Sequence, residues 1–174
     1  LVFSDGDTTF ADAYGSAYAT DVVLASTLGD LDAALADPDF DAAVFDLGSL
    51  SSLDTELGSR IAGLRAADVP VLLFSADFDE APALTTALGF SATDSNDTLA
   101  PVLPGESGLE LALFRQPESI VGLAAGLDGP GDSRDALAAP AEAYHRLGRF
   151  ETTSGDVAVL GDVDGGLVVG GFLL

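Results

Sequence analysis

The sequence predicts a three-layer α/β sandwich of flavodoxin-like type, with a mostly parallel sheet and antiparallel strands toward its carboxyl end. Three observations carry this. Short, continuously apolar runs recur through residues 1–100, the pattern of strands buried on both faces of a parallel sheet. Helical stretches separate them, and strand–helix alternation is the rhythm of a doubly wound sheet. Beyond Gly89 that rhythm gives way to apolar runs parted by glycine- and proline-bearing stretches, which reads as antiparallel strands and turns.

Leu1–Ser4, Asp21–Ser26, Asp41–Gly48 and Val69–Ala76 are the four predicted core strands. Leu28–Ala36 is a short helix ended by Asp37-Pro38. In Ser52–Ala67, Leu53, Leu57, Ile61 and Leu64 share one helical face. Ser51 or Ser52 is its expected N-cap, Asp54 and Glu56 suit the first turn, and Arg60 and Arg65 lie toward its carboxyl end. A helix over Glu80–Leu88 has Pro82 near its start and Gly89 just past its end. Asp94–Gly108 reads as a long loop, Leu109–Phe114 as a strand, Glu118–Leu123 as a short strand or turn, and Gly126–Asp135 as loop. The closing Asp156–Leu174 holds two apolar runs around Asp162–Gly166, a β-hairpin. The expected organisation is one domain over residues 1–174, an α/β core over 1–100 and a β-rich extension over 101–174.

Composition bounds the function. The 174 residues hold 29 acids against six bases, a net charge of −23, and 48% hydrophobic residues. Every base is arginine, and lysine is absent. Such self-repulsion keeps a fold soluble but destabilises it at low salt, whereas a Debye length of about 3 Å at 1 M screens it. The expectation is a protein adapted to molar salt, as in halophilic archaea. Nucleic acid and anionic membranes both call for basic patches, so neither is an expected partner. No apolar run reaches the roughly 18 residues of a membrane span. With no cysteine there is no disulfide, thiol nucleophile or thiolate metal site. The chain starts directly on a strand, and the expectation is a domain of a longer product.

In an open α/β sheet the crevice lies beyond the carboxyl ends of the strands. Asp5 and Asp7 follow the first predicted strand, Asp46 ends the third, and Ser75 with Asp77 ends the fourth. Asp5, Asp7 and Asp46 are hard oxygen donors suited to weak magnesium or calcium binding. The simpler account is a solvated acidic edge, and no cofactor is otherwise implied. With FDLGS at Phe45–Ser49 and FSADFDE at Phe74–Glu80, the spacing resembles the response-regulator receiver domain. That resemblance implies a phosphorylated aspartate at Asp46 and a hydroxyl at Ser75. It departs at the end of the fifth strand, where a receiver carries lysine and Ser95–Leu99 reads SNDTL.

A second resemblance spans more of the chain. The start LVFSDGD, the run DFDAAVFD (Asp39–Asp46), the broad helix before VPVLLFSA (Val69–Ala76), FRQPESIVGL (Phe114–Leu123) and the closing Arg146–Leu174 together resemble the class I glutamine amidotransferase-like domain. The late segments resemble its branch appended to secreted zinc carboxypeptidases. That family's nucleophile is a cysteine on a sharp strand–helix turn, activated by histidine. Here the elbow region offers Ser75, Ala76 and Asp77, without G-x-S-x-G, and the sole histidine is His145 in AEAYHRLGR, entering a strand. One histidine cannot complete a zinc-carboxypeptidase ligand set. The resemblance therefore implies a non-catalytic accessory domain partnered by a neighbouring domain of the same polypeptide or another protein. Its setting is extracellular if the carboxypeptidase branch is right and cytoplasmic otherwise. A degenerate receiver and a hydrolase using Ser75 and His145 are the alternatives.

Two smaller signals remain. GDVDGG (Gly161–Gly166) echoes the start of a calcium loop, but Asp-Gly and Gly-Gly between apolar strands are ordinary hairpin chemistry. Phe10, Tyr14 and Tyr18 fall on one helical face and read as packing. From the charge alone, the unfolding midpoint rises when potassium chloride goes from about 0.1 M to about 2 M, as screening shortens the Debye length severalfold. Thermal denaturation across that series checks it, and a flat midpoint removes the salt-adaptation reading.

Overall fold

A computed structural model describes residues 1–4, 22–36, 39–48, 50, 53–95, 102–104, 134–150 and 156–172. Its strands are β1 (Val2–Ser4), β2 (Leu24–Ala25), β3 (Ala43–Leu47), β4 (Val71–Ser75), β5 (Ser91–Ser95), β6 (Val102–Pro104), β7 (Arg134–Ala138), β8 (Tyr144–Phe150), β9 (Val157–Asp162) and β10 (Leu167–Gly170). Its helices are α1 (Leu28–Leu35), α2 (Leu57–Ala66) and α3 (Pro82–Leu88), with a 3₁₀ turn over Phe78–Glu80. The architecture is the three-layer α/β sandwich expected. One sheet runs β2-β1-β3-β4-β10-β9-β8-β6, and β5 pairs with β7 in a separate ribbon. The pairings from β2 through β10 are parallel. Those from β10 outward to β6 are antiparallel.

The fifth position of a flavodoxin-like sheet, beside β4, is taken by β10 and not by the next strand in sequence. Leu167–Gly170 runs parallel to Val71–Phe74 in continuous register. The carboxyl-terminal segment is therefore woven into the centre of the sheet, and only β9, β8 and β6 extend it antiparallel. Ser91–Ser95 runs into the polar stretch read as loop from Asp94 onward, and Arg134–Ala138 begins inside the loop predicted over Gly126–Asp135. Neither SATDS nor RDALA carries a strong apolar alternation. Their pairing is tertiary, five residues against five in antiparallel register. Val102–Pro104 is a strand on the sheet edge, the position where a proline is tolerated. The segments Leu109–Phe114 and Glu118–Leu123, the Phe10–Tyr18 face and the caps Ser51 and Ser52 lie outside the described residues.

Two cores flank the sheet. Phe3, Phe45, Leu47 and Leu73 project from the strands to meet Leu31 of α1, Leu57, Ile61 and Leu64 of α2, and Leu84 of α3. The opposite face gathers Phe74, Val102, Leu147, Phe150, Val159 and Phe172. α1 opens with a capping box: Thr27 Oγ1 accepts from the Asp30 N–H at 3.1 Å, and Asp30 Oδ2 accepts from the Thr27 N–H at 3.1 Å. α2 starts five residues later than predicted, at Leu57, because Leu53–Glu56 forms a turn. Asp54 accepts from the Leu84 N–H at 2.7 Å and so ties that turn to α3. Arg60 forks onto Asp32 of α1 with contacts of 2.7 and 2.8 Å, a bidentate pair that holds the Asp32 carboxyl below its usual range. The aspartate stays solvated, so the pair fixes geometry more than it adds stability.

The helix ends differ in quality. α3 has Pro82 in its first turn and Gly89 in the left-handed region at φ 82°, where glycine carries no steric cost. α2 ends on the same kind of motif. Asp68 N–H donates to Arg65 and Val69 N–H to Leu64, while Asp68 sits at φ 59°. An L side chain is strained there, and a carboxylate meets the negative end of the helix dipole. Asp68→Gly should raise stability by about 0.5–1 kcal/mol, read as a higher urea midpoint at unchanged slope.

Candidate functional site

The parallel strands β1, β3, β4 and β10 discharge their carboxyl ends at one edge, where this fold class places its crevice. Ser4 of β1 is in register with Asp46 of β3, and Asp46 with Phe74 of β4. In-register residues of neighbouring strands share a face, so Ser4 and Asp46 lie together. Ser75 is in register with Leu47 and emerges on the other face. The predicted grouping of Asp46 with Ser75 is therefore split by the sheet itself. Asp46 is half-buried, whereas Ser75 is fully buried. Asp5 and Asp7 lie outside the described residues. Among the described residues no three carboxylates or histidines converge to hold a metal ion.

Ser75 is spent on local structure. Its Oγ accepts from the Asp77 N–H at 3.1 Å, closing the turn that leads β4 into the 3₁₀ turn. A nucleophile elbow holds its serine exposed on a strained turn. Here Ser75 has no solvent exposure, and Asp68 is the only described non-glycine residue with positive φ. His145 is on β8, exposed, in register with Gly161 of β9. Between β4 and β8 stand β10 and β9, so three strand spacings of about 4.8 Å separate the two lines of residues by roughly 14 Å. The Ser75–His145 pair is not assembled in this fold.

One functional-looking group escaped the sequence reading. Asp135, at the end of the loop predicted over Gly126–Asp135, is the second residue of β7 and has no solvent exposure. Its N–H donates to the Gly171 carbonyl at 2.9 Å, just beyond β10. Its Oδ2 accepts from the Asp79 N–H at 3.2 Å, while Oδ1 has no hydrogen-bond partner among the described residues. Burial, with the Asp79 and Asp77 carboxylates nearby, pushes this carboxyl up to about 7, against the pull of the Asp79 and Phe78 N–H groups. The approach is close: a Cβ on Gly171 would lie 2.0 Å from the Asp135 carbonyl oxygen. The juxtaposition joins residues 36 positions apart in the chain, and SRDALAA has no local signature that announces it.

The opposite, amino edge holds a cleft of about 490 Å³ lined by Arg65, Asp68, Pro70, Asp164 and Gly166. It borders the hairpin read from GDVDGG. Asp162 Oδ1 accepts from the Gly166 N–H at 2.8 Å and the Leu167 N–H at 3.2 Å, and Oδ2 pairs with Arg65. One oxygen thus fixes the hairpin turn and the other ties the hairpin to α2.

The Asp135 geometry has a pH consequence. Between its ordinary value of 3.8 and about 7, the native carboxyl keeps a proton that the unfolded chain releases. Stability from this group is therefore complete below about pH 4 and falls as pH rises toward 7. Asp135→Asn, which mimics the protonated form, should match the parent chain near pH 4 and exceed it at pH 8 by on the order of 3–4 kcal/mol. Paired unfolding curves at the two pH values check this, since the difference cancels the titration of every other carboxylate.

No protein-family model and no curated protein matches the chain. Among solved structures, it is similar to the crystal structure of SMU.1228c, with a TM-score of 0.58 and 9% sequence identity over 99% of this chain and 76% of that one. At that identity the likeness is one of fold. No helix among the described residues is long and apolar enough to cross a membrane.

Proposed function

We propose that the chain is a non-catalytic accessory domain of a larger, salt-adapted protein, of glutamine amidotransferase-like descent. A secreted zinc carboxypeptidase is the leading host, and a neighbouring domain of the same polypeptide the leading partner. One observation carries the reading. The elbow position at the end of β4 holds a fully buried serine whose hydroxyl already serves the turn. A nucleophile needs both access and a base within hydrogen-bond reach, and Ser75 has neither among the described residues. The occupancy of the fifth sheet position by β10 favours this reading over a degenerate receiver, whose sheet order is built from consecutive strands.

The test combines chemistry and context. A fluorophosphonate probe should label the chain and its Ser75→Ala variant equally, at background. The reading frame around the chain should encode a domain with the two histidines and glutamate of a zinc carboxypeptidase. Labelling that vanishes in both Ser75→Ala and His145→Ala overturns the reading in favour of a hydrolase. Acid-labile phosphate taken from acetyl phosphate by the chain, and lost in Asp46→Asn, overturns it in favour of a receiver.

A further inference from the structure

Cations are scarce in this molecule, and three of the five described arginines are committed. Arg60 is paired with Asp32 and Glu56, Arg65 is paired with Asp162, and Arg134 is buried with its guanidinium carbon 5.7 Å from the centre of the Phe150 ring. Arg146 and Arg149 are different: both are exposed, and neither makes a salt bridge among the described residues. They sit on β8 beside the exposed His145.

The backbone brings the two arginines to one face. In a regular strand, residues three apart point to opposite sides. Here the β8–β9 ladder is irregular on either side of Gly148. Arg146 is in register with Leu160 and Arg149 with Val157, both of which belong to the helix-side core. Leu147 packs with Val159 in the opposite core. The irregularity therefore leaves Arg146 and Arg149 on the same helix-side face of the sheet, where both are exposed, about 7–10 Å apart along the strand. Half-buried Leu103, in register with Arg149, and half-buried Val157 flank them. The spacing suits carboxylates at alternate positions of an extended segment, each able to meet a guanidinium fork.

We propose that this face of β8 is the docking surface for a carboxylate-bearing extended segment of a protein partner, a proposal that rests on the accessory-domain reading and gives that domain its contact. Charge complementarity selects the occupant. The chain carries a net charge of −23, so a polyanion such as nucleic acid is repelled by the rest of the surface, whereas a short acidic segment needs only this strip. At about 1 M salt the long-range repulsion is screened within roughly 3 Å, while bidentate contact pairs persist.

The probe is a peptide of alternating glutamate and threonine, titrated at 1 M potassium chloride into the ¹⁵N-labelled chain and followed by amide and arginine side-chain shifts. Saturable shifts confined to Tyr144–Phe150 and Val157–Leu160, weakened about tenfold in the Arg146→Ala/Arg149→Ala double variant and unchanged in Arg60→Ala, support the proposal, with matched thermal midpoints showing that the variants fold. Absent shifts, shifts that survive the double substitution, a stronger response to oligothymidylate, or shifts that grow with protein concentration alone each overturn it. A silent β8 leaves the accessory reading standing, because probe labelling and the reading frame decide that separately.

Discussion

The pairing of β10 with β4 is the constraint on which the rest of the molecule depends. It joins residues 71–74 to residues 167–170 in parallel, so nearly a hundred residues must be closed into a loop before its hydrogen bonds form. Everything beyond it in the sheet is attached through it: β9 pairs with β10, β8 with β9, and β6 with β8. The pairing is pinned at each end. At the amino end Asp162 ties the Gly166 and Leu167 N–H groups to Arg65 of α2. At the carboxyl end the Asp135 N–H meets the Gly171 carbonyl in a space that admits no Cβ.

These two pins show two fates of a buried carboxylate. Asp162 is met by a guanidinium and two backbone N–H groups, so its charge is compensated where it stands. Asp135 is met by backbone N–H groups of one turn while two further carboxylates crowd it, so the proton is the cheapest counter-charge available. The amino pin is therefore held by an ion pair, and the carboxyl pin by a backbone hydrogen bond beside an acid whose burial raises its hold on a proton. In a chain with so few cations, arginine is placed where a joint between elements needs it: α1 to α2 through Arg60, and α2 to the β9–β10 hairpin through Arg65.

Continuous apolar runs made β1, β3 and β4 legible, because a strand buried on both faces must be apolar throughout. The hairpin over Asp162–Gly166 was legible for the same reason, with turn chemistry between two such runs. Ser91–Ser95 and Arg134–Ala138 were not, because their strand character comes from pairing with each other and not from local pattern. The carboxyl-edge acids were legible as an edge but not as a site. Period-two alternation sends Asp46 and Ser75 to opposite faces, a fact that depends on where each strand starts, and a one-residue shift would have reversed it. Asp135 was beyond reach, because the groups that meet it, the Asp79 turn and the returning chain at Gly171, are distant in sequence. The arginine strip on β8 likewise needed the ladder irregularity, which no residue in YHRLGRF announces.

The separation of these features bears on what such a domain can do. Among the described residues, the carboxyl edge, where an α/β enzyme keeps its chemistry, holds a hydroxyl closing a turn, half-buried Asp46 and an acid whose burial raises its hold on a proton. Among the described residues the exposed, unbridged arginines lie instead on β8, in the antiparallel half that joins the parallel strands through β10. A surface built there is conditional on closure of the whole sheet, so a partner that binds β8 selects the folded, closed chain and stabilises it by mass action. In an acidic chain at modest salt, where self-repulsion opposes compaction, carboxylates brought to β8 by a partner would offset some of the strain by pairing with arginines that make no salt bridge among the described residues. Association with a neighbouring domain would then support the fold as well as use it.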